Sequence, residues 1–100
     1  MTDQAPSRSL VRALQALMPQ ANIAILHERP WHSLTFSGAQ ICLSLALPIT
    51  AAEQRSAVAQ QLEDHEFSLP SQLVADIAIT ETAILDGQYR LIIDALLLED

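Results

Sequence analysis

The amino-acid sequence predicts an α+β fold: a two-layer sandwich, with two helices on one face of an antiparallel sheet, in the order αβββαββ and ferredoxin-like in its layering. Three features carry this expectation. Leu10, Val11, Leu14, Leu17 and Met18 recur at the spacing of one helical face. Trp31–Leu47 alternates large apolar residues with polar or small ones, the period of strands buried on one side. Leu73–Leu98 is apolar on both alternating faces and contains Asp86-Gly87, a dipeptide that tolerates positive φ at both central positions of a tight turn.

Taken in order, residues 1–6 read as a flexible polar start and 7–100 as a single α+β domain. Ser7 or Ser9 is the expected cap of a first helix running to about Met18, where Pro19 stops it. Ile23-Ala24-Ile25-Leu26 suits a short strand, and Arg29-Pro30 is expected to bend the chain after it. A hairpin follows over Trp31–Leu47, with its turn near Ser37-Gly38-Ala39. Leu34, Phe36, Ile41, Leu43, Leu45 and Leu47 share one face of it; Ser33, Thr35, Gln40, Cys42, Ser44 and Ala46 share the other.

Thr50-Ala51-Ala52-Glu53 has capping-box spacing and opens a second helix reaching about Asp64. Its stripe of Ala51, Val58 and Leu62 is thin and covers little area. Phe67 and Leu69 anchor a linker. The closing strands span about 72–82 and 88–98. The Asp86-Gly87 turn sets Leu73, Ala75, Ile77, Ile79, Ile92, Leu96 and Leu98 on one face. It sets Val74, Ala78, Ile84, Tyr89, Leu91, Ile93, Ala95 and Leu97 on the other. A ribbon apolar on both sides needs cover on both, and two short helices supply it for one. A second copy of the chain is the simplest remaining cover, so a homodimer is expected.

Composition narrows the function. Half of the 100 residues are hydrophobic, which excludes a disordered chain. The net charge of −7 comes from five Arg, no Lys and twelve acids. Scattered Arg on an acidic chain argues against nucleic-acid binding and against anionic membrane surfaces. Arg without Lys is a usage associated with GC-rich bacterial genomes. The start of the chain has no secretory pattern and no apolar run approaches the ~20 residues that span a bilayer, so a cytoplasmic location is expected.

Chemistry-bearing residues are few. Cys42 is the single cysteine, which rules out an internal disulfide and a multi-cysteine metal site. His27, His32 and His65 lack ligand spacing, so no metal or cofactor is expected. Paired with a His, Cys42 could act as a nucleophile, but a mid-strand thiol among small residues is more simply buried and inert. Asp76 and Asp94 sit in apolar rows, where a carboxylate is either a functional group or a charge that discourages edge pairing. Asp94 is expected opposite Ile79, and Asp76 near Leu97. Glu81 and Arg90 are expected as diagonal neighbours. Trp31, flanked by Arg29 and His32, is the aromatic best placed to contact a ligand or a protein partner.

Three functions follow in order of weight. The first is a non-catalytic, self-associating interaction or accessory module. The second is a small-molecule binding or sensor domain, with its site near Trp31 or at a dimer interface. The third is a small enzyme using Asp76 or Asp94. Gly-rich phosphate loops and nucleophile elbows are absent from the sequence, and Gly38 and Gly87 both read as turn residues.

Overall fold

The structure, a computed structural model, describes residues 6–49, 52–70 and 72–99. Its elements are α1 (Pro6–Leu17), β1 (Asn22–His32), β2 (Ser37–Leu47), α2 (Ala52–Asp64), β3 (Gln72–Leu85) and β4 (Gln88–Glu99). The strands form one antiparallel sheet in the order β1-β2-β4-β3. Two hairpins therefore lie side by side, joined through β2 and β4, and α2 connects the parallel strands β2 and β3 across β4.

The α+β class holds, but the element order is αββαββ, with one strand fewer than expected. The difference lies at Arg29-Pro30. These residues do not bend the chain; they continue β1, with Pro30 opposite Ala39. Proline lacks the N–H that a central strand must donate, but β1 is an edge strand, where that donor can be spared. The proline also biases Arg29 toward extended backbone.

The hairpin turn falls at Ser33–Phe36 rather than at Ser37-Gly38-Ala39. The Ser33 amide donates to the Phe36 carbonyl at 2.8 Å, and the Phe36 amide donates to Ser33 Oγ at 3.0 Å. A serine hydroxyl that accepts from a nearby amide stabilises a turn without glycine. Leu34 and Phe36 consequently lie exposed at the turn and do not join the core face. Gly38 is a strand residue facing Leu98, where a Cβ would collide with the Leu97 carbonyl of β4. Glycine is needed there because another backbone comes close.

α1 begins at Pro6, one residue inside the expected loose start. Proline suits a first helical position, whose N–H has no intrahelical partner. Ser7 and Ser9 lie within the helix and are buried, so neither is its cap. At the other end, Gln15 Nε2 donates to the Ala21 carbonyl at 2.9 Å and tethers the turn that follows the helix. α2 ends at Asp64 as expected; the Thr50-to-Glu53 capping box includes Thr50 and Ala51, which lie outside the described residues.

One face of the sheet packs against both helices. Leu10, Leu14 and Met18 of α1 and Leu62 of α2 join Ile41, Leu43 and Leu45 of β2 and Leu91, Ile93 and Leu97 of β4 in one core. Phe67 and Leu69 pack on its margin, anchoring the linker. Leu91 and Ile93 are 0% exposed.

The Asp86-Gly87 turn forms as expected, with φ of 53° and 74°. Its register runs as predicted from Leu85↔Gln88 to Glu81↔Ile92. Two bulges in β3 then change it. The first lies between Ile79 and Glu81, the second between Val74 and Asp76. Each extra residue moves the side chains that follow to the opposite face. Ile77 and Ile79 thereby turn inward onto the core, whereas Asp76 and Ala78 turn outward. At the first bulge, Thr80 Oγ1 donates to the Ile92 carbonyl at 3.2 Å and satisfies an acceptor that the distorted ladder would leave weak.

Candidate functional site

The face of the sheet turned away from the helices gathers most of the residues singled out in the sequence. Its composition follows from three bulges. In β1 the register shifts between Ile25 and His27, so that His27, Arg29 and Trp31 stand opposite Cys42, Gln40 and Gly38. Without the extra residue they would face the helices. The β3 bulge at Thr80 does the same for Asp76 and Ala78, and the second β3 bulge returns Leu73 to this face.

The face can be read as rows across the strands in the order β1-β2-β4-β3. One row is Trp31, Gly38, Leu98 and Leu73. The next is Arg29, Gln40, Leu96 and Asp76. The third is His27, Cys42, Asp94 and Ala78. Trp31 is half-buried, Arg29 and Asp76 are exposed, and Asp94 is half-buried. His32 does not share this face: it lies opposite Ser37, on the alternate phase of β1, and is exposed. Glu81 and Arg90 keep their expected diagonal relation, with Glu81 opposite Ile92 and Arg90 opposite Ala83. Asp94 stands opposite Ala78 rather than Ile79, and Asp76 opposite Leu96 rather than beside Leu97; both changes come from the bulge at Thr80.

Cys42 and Asp94 form a direct pair that the sequence did not reveal. The Cys42 thiol is 8% exposed and stands opposite Asp94 across the β2–β4 ladder. Burial pushes the thiol up from its ordinary range. Asp94 pushes it further, and the charge of Glu81 adds to this. A reactive cysteine needs the opposite shift, toward thiolate at neutral pH. His27 lies across the ladder on the other side of Cys42. In a nucleophilic triad the imidazole stands between thiol and carboxylate; here the thiol stands between them. The thiol, not the imidazole, is the middle member of this row.

No group of three or more His, Cys, Asp or Glu side chains placed to hold a metal occurs among the described residues. A groove of about 510 Å³ runs along the β3 edge and is lined by Glu63, Glu66 and Asp76 together with His65 and Phe67. His65 and Phe67 meet edge to face, with ring centroids 4.6 Å apart. The groove's lining carries three carboxylates and no Arg. A shallower depression of about 400 Å³ is lined by Glu28, Arg29, Pro30, Gly38 and Ala39. Trp31 is not among its walls.

The outer face has a relief of its own. β2 contributes Gly38, Gln40, Cys42, Ser44 and Ala46, which are mostly small. β4 contributes Arg90, Ile92, Asp94, Leu96 and Leu98, which are mostly large. A trough thus runs beside a ridge, and Leu73, 57% exposed, extends the apolar part of the ridge toward β3. Among the described residues this face is a relief of trough and ridge rather than a concave pocket. No helix among the described residues is long and apolar enough to cross a membrane. Comparison of the chain with protein-family models, with curated proteins and with solved structures found no match in any of the three.

Proposed function

We propose that this chain is a non-catalytic, self-associating interaction module whose outer sheet face is covered by a second copy of itself. The observation that carries the proposal is the one-sided cover of β4: its inner residues are sealed by the helices, whereas among the described residues Ile92, Leu96 and Leu98 lie on the opposite face, outside that core. Four strands of eleven or more residues present on the order of 700 Å², close to the roughly 800 Å² that each partner contributes to a stable interface. The sheet edges are less suited to pairing. β1 carries Pro30 and a bulge, and β3 carries two bulges with Asp76 between them and Glu81 just beyond; all of these discourage edge-to-edge addition.

The ferredoxin-like reading of the layout draws support from the split β2–α2–β3 unit, in which β4 lies between two parallel strands. A cytoplasmic bacterial protein fits the acidic, Arg-only composition.

Sedimentation equilibrium across micromolar concentrations tests the proposal. A dimer is expected, and Leu96→Glu is expected to shift it to monomer while leaving the circular dichroism spectrum unchanged. A wild-type chain that stays monomeric throughout would refute it. A second reading, a small-molecule binding domain, rests on the depression beside Arg29. It requires a ligand-dependent rise in melting temperature that Arg29→Ala abolishes.

A further inference from the structure

We infer that two copies pack outer face to outer face about a two-fold axis parallel to the strands and passing between β2 and β4, with Arg29 of each copy meeting Asp76 of the other. The inference rests on the self-association proposed above and specifies its geometry.

Two independent properties of the face select this axis. The first is shape. A two-fold along the strands lays the β4 ridge of each copy over the β2 trough of its partner and keeps every residue in its own row. Leu98 then enters the space over Gly38, where no side chain stands, and Ile92 lies over Ser44. A two-fold across the strands would instead set ridge against ridge and trough against trough. Close packing of the two sheets favours the interdigitated arrangement.

The second property is charge. Arg29 lies on β1 at one edge of the face, and Asp76 lies in the same row on β3 at the other edge. Rotation about the proposed axis exchanges the edges, so the row brings Arg29 onto Asp76 twice, once on each side of the apolar centre. Both residues are exposed and neither faces the other within its own chain, because the width of the sheet separates them. An isologous interface repeats each contact symmetrically, so one complementary pair counts twice. Opposed charges on the rim of such a face fix orientation and exclude the alternative, in which β3 acids would meet β3 acids.

A charge-exchange experiment tests the geometry. Arg29→Asp and Asp76→Arg are made separately in the full chain, and their folding is checked by circular dichroism. Each variant alone confronts two like-charged pairs in a homodimer, so its dissociation constant is expected to rise at least tenfold above wild type. A one-to-one mixture restores both pairs in the heterodimer, and its dissociation constant is expected within about threefold of wild type. A wild-type dimer that neither variant weakens, or variants whose mixture does not recover, would overturn the orientation while leaving self-association standing. A wild-type monomer would overturn both.

Discussion

The two faces of β4 come from one run of twelve residues and meet different fates. Tyr89, Leu91, Ile93, Ala95 and Leu97 lie under the helices, and each is almost sealed from water. Ile92, Leu96 and Leu98 are of the same chemical kind but remain half-buried on the opposite side. Hydrophobicity alone does not separate the two sets. What separates them is that both helices among the described residues pack on one side. The contrast shows that an apolar residue in a small domain belongs to the core only if some other element is available to cover it.

The largest expected effect tests this contrast directly. Ile93→Ala should cost about 2–5 kcal/mol in urea unfolding, the range for truncating a well-packed aliphatic side chain. Leu96→Ala should cost at most about 1 kcal/mol at concentrations low enough to keep the chain monomeric. Its cost should grow with protein concentration where the dimer adds to stability. Equal costs for the two substitutions at low concentration would break the comparison between the faces.

A second substitution probes the seam where the hairpins join. Gly38→Ala places a methyl group against the Leu97 carbonyl, and backbone on both strands must move to admit it. The expected loss is about 1–3 kcal/mol, read as a lower urea midpoint with an unchanged slope. A neutral result would mean that the two strands need not approach so closely at this end.

The smallest effect concerns pH and the outer face. Folding holds the Cys42 thiol protonated beyond its ordinary range. As pH rises past about 8.5, the unfolded chain releases this proton before the folded chain does. The unfolded state then binds fewer protons than the native one, and stability falls with pH until the folded thiol also ionises. Cys42→Ala should lack this component. The check is the difference in urea midpoint between neutral and alkaline pH, compared for wild type and variant. Identical differences would show that burial beside Asp94 places no demand on the thiol.

Much of the fold was legible because it depends on neighbours in sequence. The alternation of Ile41, Leu43, Leu45 and Leu47 against Gln40, Cys42 and Ser44 marked both faces of β2. Asp86-Gly87 located its turn, since few dipeptides accept positive φ twice. The period of Leu10, Leu14 and Met18 marked the buried side of α1. The first hairpin turn was harder to place, because Ser33 forms it through its side chain whereas Gly38, the residue that resembles a turn, serves a close approach between strands.

The candidate site was legible in its members but not in its arrangement. Trp31, Arg29, Asp76 and Asp94 were identifiable as unusual where they stand, whereas the Cys42–Asp94 contact needed β2 and β4 to be neighbours, which no local pattern states. Composition and periodicity by themselves determined the α+β class, the two-residue turn and the excess of apolar surface, because each is set by a residue and those within a few positions of it. Tertiary structure decided the strand order and the three bulges. A bulge is stabilised by what the shifted side chains then meet: Ile77 and Ile79 gain the core, and Asp76 gains water. That gain exists only once the sheet and helices are assembled.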